Sequence, residues 1–162
     1  MSMTNNKVSK QPSEGGSDLR EPLLMWQFLR AFIWLDRGLQ ENIAELGWPS
    51  LSRTESQVML LTSVGIGRPI EISRNLGLSR QAVYQSISQL EAKGLIVLRV
   101  DHRDKRRKIL TFSRDGEAMR HDAIMILRRL EGELVRRGGF KEVTGVRSMG
   151  DWDWSAPPVY ED

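Results

Sequence analysis

Cysteine is absent from the 162 residues. Its absence excludes disulfide staples, thiolate metal ligands, thiol redox switching and cysteine nucleophiles. Histidine is nearly as scarce. His102 and His121 are the only two and fall in separate stretches, so a histidine-based metal site within one chain is not expected. There is no Gly-rich phosphate loop and no Ser/His/Asp grouping, and the sequence reads as a non-enzyme without metal or cofactor. Nor is there an uncharged apolar run long enough for a membrane span, which needs about 18 residues. The most apolar stretch, LLMWQFLRAFIWL, is shorter and contains Arg30. The opening MSMTNNKVSKQPSEGGSD lacks the apolar core of a secretion signal. Together these absences point to a cytoplasmic protein with no membrane contact.

What is present is an uneven distribution of charge. The net charge is +3, yet the segment from Arg68 to Arg114 holds eleven Lys/Arg against four Asp/Glu. That surplus of seven leaves the remainder of the chain at −4. A basic segment in an otherwise mildly acidic chain is the electrostatic footprint of a nucleic-acid face. Its densest part is DHRDKRRK at 101–108, where every residue but His102 is charged.

Residues 1–18 are rich in Ser, Asn, Gly and Lys and read as a mobile N-terminal tail. From Leu19 to Leu46 the apolar residues Leu24, Phe28, Phe32, Leu35, Leu39 and Ile43 recur at helical spacing. This predicts a helix about 40 Å long, ended by GWPS. TESQ at 54–57 reads as a capping box opening a second helix, with Val58, Leu60 and Leu61 buried. Pro69 suits the first turn of a third helix, and Gly77 a left-handed turn after it. Ser79 caps a fourth helix with Val83, Ile87 and Leu90 inward, closed by Gly94. LIVLRV and KILTFS, on either side of the charged stretch, read as a hairpin. Ser113 caps a fifth helix with a stripe of Met119, Ala123, Ile126, Leu127, Leu130 and Leu134. The rest offers a short helix and then an aromatic, proline-bearing tail with Trp152, Trp154 and Tyr160.

Helix, turn, helix and hairpin in this order predict a mainly α fold with a small β-hairpin wing, a winged helix-turn-helix. In such a unit the second helix of the pair enters the major groove. With Val83 inward, the opposite face carries Gln81, Ala82, Gln85, Ser88 and Gln89. A glutamine amide can bond N6 and N7 of adenine together, and Ala82 can meet a thymine methyl. Ser79, Gln81, Ala82, Gln85 and Gln89 are therefore the candidate base readers. Arg80 and Tyr84 flank them, where phosphate contacts are expected. In the hairpin, Arg103, Lys105, Arg106, Arg107 and Lys108 would project toward a duplex, where arginine can enter a narrow minor groove. Asp101 and Asp104, repelled by phosphate, would pair with neighbouring arginines and shape the wing. The competing readings are a solvated polar helix face and an idle charged hairpin.

The stretch LSRQAVYQSISQLEAKGLIVLRVDHRDKRRKILTFSRDG resembles the winged-helix core of the MarR family of bacterial transcription regulators. Asp101, Arg103, Asp104 and Arg106 match the family's Asp-x-Arg-Asp-x-Arg wing pattern, and Leu90, Lys93, Gly94 and Leu95 its junction into the wing. The Leu-Thr-x-x-Gly signal after the wing is approximate, with Gly116 two places late. The resemblance spans residues 20 to about 138.

It implies a homodimer on double-stranded DNA, with flanking dimerisation helices. The resulting division is a tail at 1–18, an N-terminal dimerisation helix at 19–50, a DNA-binding lobe at 51–112, a long C-terminal dimerisation helix at 113–138, and a short helix or irregular tail at 139–162. The chain departs from the family where a long terminal helix is usual. The implied function is a dimeric, sequence-specific transcriptional regulator, a repressor released by a small aromatic effector. Trp26, Phe32, Trp34 and Trp48 are candidate pocket residues for that effector, against the plainer reading of aromatics as core. The alternative function is a winged-helix protein-interaction adaptor with no specific DNA operator.

Overall fold

The structure is a computed structural model that describes residues 23–100, 106–154 and 157–158. The N-terminal tail assigned to 1–18, residues 101–105 of the wing and Tyr160 lie outside the described residues. Among the described residues, six helices and one hairpin follow in order: α1 (Leu24–Glu45), α2 (Arg53–Ser63), α3 (Pro69–Leu76), α4 (Arg80–Ala92), β1 (Ile96–Val100), β2 (Lys108–Phe112), α5 (Arg114–Gly138) and α6 (Phe140–Ser148). A 3₁₀ turn at Met149–Asp151 closes the series. The expected winged helix-turn-helix with a small antiparallel hairpin is present. No helix among the described residues is long and apolar enough to cross a membrane.

Local chemistry explains most boundaries. Pro69 opens α3, where an N–H would have no helical partner. Gly77 ends it in the left-handed region at φ 63°. The Ser79 hydroxyl accepts from the Ala82 amide (3.1 Å), and Ser113 accepts from the Gly116 amide (2.9 Å). α1 is described from Leu24, and its 22 residues span about 33 Å; the expected start at Leu19 lies outside the described residues. One boundary differs from expectation. α2 is capped two residues earlier than TESQ predicts. Ser52 is the N-cap, its hydroxyl accepting from the Glu55 amide (3.3 Å), while the Ser52 amide donates to the Glu55 carboxylate (2.6 Å). Both spacings satisfy the capping-box pattern. The Ser52 box is the one formed because it places the Glu55 carboxylate where the Lys93 ammonium can reach it (2.6 Å).

The core sits where α2, α3, α4, the hairpin and one end of α1 and α5 converge. Val58, Ile72, Val83 and Leu90 have no solvent exposure, and Ile43, Leu110 and Met119 close over them. Leu60, expected inside, is exposed, and Met59 takes the buried position next to Val58. β1 and β2 pair with Leu98 opposite Leu110 and Val100 opposite Lys108. The Leu110 amide also donates to the Gly67 carbonyl (2.8 Å). The α2–α3 turn is thereby stitched to the wing strand. The approach is so close that a Cβ on Gly67 would lie 2.9 Å from the Leu110 carbonyl oxygen.

α5 leaves the lobe beside α1. Trp48, just beyond α1, donates from its indole N–H to Asp122 of α5 (2.9 Å). Near the end of α5, Arg137 lies over the Trp34 ring (5.4 Å) and donates to Glu133, as does Arg136. Hydrogen bonds from these two arginines hold the Glu133 carboxyl well below the usual carboxylate range, at about 2. α6 folds back along α5, tied by an Arg147–Glu131 ion pair. The N-terminal part of α1 is bare, with Leu24 72% and Met25 81% exposed. So are Phe140, Val146, Trp152 and Trp154 at the other end of the chain.

Candidate nucleic-acid interface

α4 is set in place from both ends. At its start, the Ser73 hydroxyl donates to the Leu78 carbonyl (2.7 Å), fixing the turn from α3. At its end, the Lys93 ammonium donates to the buried Glu55 carboxylate and to the Ser50 carbonyl (2.9 Å). The Glu91 carboxylate accepts from the Leu98 amide (3.0 Å), joining the helix to β1. Val83, Ser86, Ile87 and Leu90 are buried against the core. Arg80, Gln81, Tyr84, Gln85, Ser88 and Gln89 are exposed, and Ala82 is half-buried. The structure thus puts the three glutamines on one solvent-facing side of a helix that is rigidly held at both termini.

The base of the wing stands beside Tyr84 of α4. Arg106, Arg107 and Lys108 are exposed. Together with Tyr84 of α4 and Arg68, Pro69 and Ile70 at the start of α3, they line a concavity of about 360 Å³. Asp101, Arg103, Asp104 and Lys105, singled out from the sequence, lie outside the described residues. Arg68 was not singled out. The one signal available was that it opens the basic segment, next to a proline that starts a helix.

A second cavity, about 210 Å³, lies between α1, α2, α5 and the end of β2. Its walls are mostly apolar and include Leu35, Leu39, Met59, Met119 and Leu127, with Asp36, Gln40 and Arg120 among the polar groups. Of the four aromatic residues proposed for a ligand pocket, Phe32 lines this cavity and Trp26, Trp34 and Trp48 do not. Trp26 is half exposed beneath Arg30, Trp34 sits under Arg137, and Trp48 is committed to Asp122. Leu60, exposed rather than buried, is part of this cavity's wall.

No protein-family model matches the chain, and no curated protein matches it by sequence. Solved structures do resemble it in three dimensions. MarR from E. coli, in its apo form, superposes with a TM-score of 0.62 at 18% identity, covering 81% of this chain and 96% of that one. The transcriptional repressor CouR bound to a 23-mer DNA duplex gives a TM-score of 0.61 at 25% identity, covering 80% and 90%. CouR from Rhodococcus jostii RHA1 bound to p-coumaroyl-CoA gives 0.63 at 18% identity, covering 85% and 95%. These likenesses extend over the helical frame as well as the winged lobe, so the chain has the winged-helix fold of the MarR-family transcription regulators.

Proposed function

We propose that the chain is a dimeric, sequence-specific DNA-binding transcriptional regulator that acts as a repressor. The observation that carries this reading is the common side of α4 and the wing: Tyr84 of the helix and Arg106, Arg107 and Lys108 of the hairpin border one concavity. A rod of glutamines can then sit in a major groove while the cations beside it neutralise the flanking phosphates. Gln81, Gln85 and Gln89, with Ser79 and Ala82, read base edges. Arg80, Tyr84, Arg106 and Arg107 hold the backbone.

Dimerisation is supported by the bare apolar surface at both ends of the chain. Leu24, Met25 and Trp26 on α1, and Phe140, Trp152 and Trp154 beyond α5, are at least half exposed in one copy. Contiguous apolar surface of that kind marks an interaction face. A two-fold axis would set the two α4 helices about 34 Å apart, one turn of DNA. The apolar cavity that Phe32 lines supports a small aromatic effector; CouR, of similar fold, has been solved with p-coumaroyl-CoA.

Two variants test the assignment by their different signatures. Gln85→Ala should cost about 1–3 kcal/mol on the preferred operator and relax discrimination at one base pair. Arg106→Ala should weaken binding to all duplexes about equally. Fluorescence anisotropy with the operator and a scrambled duplex separates the two. Unaltered discrimination in Gln85→Ala would mean that α4 does not read bases through this face.

A further inference from the structure

We propose that the apolar cavity between α1, α2 and α5 takes a small aromatic amine, with Asp36 as the counter-ion of its ammonium. The inference rests on the reading of that cavity as an effector site. It adds the charge of the ligand and the residue that selects it.

The cavity measures about 210 Å³. An apolar cavity of about 150 Å³ is enough to hold benzene, so a single substituted ring fits. Phe32, Asp36 and Gln40 of its wall follow one another at four-residue intervals along α1, about 6 Å apart on one face of the helix. A ring, a carboxylate and an amide thus stand in a row. Asp36 is half-buried and, among the described residues that line the cavity, is the one carboxylate. Among the described residues, no hydrogen bond or ion pair engages it. Gln40 spends its amide nitrogen on the Ser56 hydroxyl (3.3 Å). The end of Gln40 left over is its oxygen, an acceptor.

The cations around the cavity do not answer the charge of Asp36. Arg120 of α5 is paired with Glu117 (2.7 Å) and lies over Phe112 (5.7 Å). Arg53, exposed at the start of α2, lies over Phe32 (5.9 Å), where solvent and salt screen it. A carboxylate set in an apolar wall loses hydration without gaining a partner. An ammonium beside it supplies that partner, with N–H donors enough for both Asp36 and Gln40. The ring behind the ammonium then packs on Leu39, Met59 and Leu127. An arene carrying a carboxylate would instead set like charges side by side.

The test is isothermal titration calorimetry of the purified full chain at neutral pH and low salt, with phenethylamine, phenethyl alcohol and phenylacetate as probes. The amine should bind about tenfold more tightly than the alcohol, the gain of a charge-assisted hydrogen bond, and phenylacetate more weakly than either. Asp36→Asn should bring the amine down to the level of the alcohol. Asp36→Glu, which keeps the charge, should keep the preference. Phenylacetate binding as tightly as the amine, or an amine preference that survives Asp36→Asn, overturns Asp36 as the counter-ion and leaves the cavity as a ligand site. Absence of binding by all the probes at millimolar concentration overturns the site and the effector reading together. An amine that binds through Asp36 but leaves operator affinity unchanged overturns the effector reading and upholds the site.

Discussion

Alanine at Gly116 is expected to destabilise the fold by about 3 kcal/mol or more, the upper end of the range for overpacked sites. The cause is one contact. A Cβ at position 116 would lie 1.7 Å from the carbonyl oxygen of Leu95 and 2.7 Å from its carbon. Neither backbone is free to retreat. Leu95 is buried, its amide donates to Leu90 (3.0 Å), and its carbonyl accepts from Ser113 (3.0 Å). Gly116 is held by its own bond to the Ser113 hydroxyl (2.9 Å). Relief of the clash would cost the cap of α5, the close of α4 or the start of the hairpin. The glycine is needed for close approach rather than for an unusual backbone angle. Urea unfolding at neutral pH reads the effect as a fall in midpoint with little change in slope. A Gly116→Ala protein with the parent's midpoint would show that α5 does not seat on Leu95 as described.

The second large effect is asymmetric. Lys93→Met is expected to cost about 3 kcal/mol, because it strands a carboxylate that is 2% exposed. Glu55→Gln should cost less, about 1–2 kcal/mol. Gln can keep the cap of α2, and the Lys93 side chain, 29% exposed, can turn to water. Burial by itself would raise the Glu55 carboxyl. Hydrogen bonds from Lys93 and from Ser52 outweigh burial and hold it below the ordinary value of 4.5. A carboxyl lowered in the folded state stabilises fully above that value and loses its contribution as pH falls toward the folded value. The stability gap between the parent and Glu55→Gln should therefore be widest at neutral pH and shrink below about 4.5. Urea midpoints at pH 7 and pH 3 measure it. A gap that widens in acid would contradict the pairing. The pair ties the loop before α2 to the end of α4, so Lys93→Met should also loosen the helix proposed to read bases.

How far the sequence could be read depended on the range of each interaction. Pro69, Gly77, Ser79 and Ser113 act within a turn of their own position, and the boundaries they mark are where they were expected. The inward stripe of α4 was legible for the same reason. The cap of α2 was not, because SRTE and TESQ satisfy the same local rule and the deciding partner, Lys93, is 38 residues away. Trp48 looks like a pocket residue by type, but its N–H is taken by Asp122, 74 residues on. Arg68 lies beside the base of the wing, next to the Gly67–Leu110 bond, which no spacing announces. Gly116, two places late for the family's post-wing signal, turns out to be placed by contact with Leu95 rather than by count.

The central claim is that α4 and the wing grip a duplex together, in two copies related by two-fold symmetry. Selection of bound fragments from genomic DNA by the purified chain tests this most directly. The expected result is one enriched motif with inverted halves about one helical turn apart, rich in A·T pairs where glutamines can bond adenine. Recovery of fragments with no shared motif, at salt low enough for any basic protein to hold DNA, would contradict it.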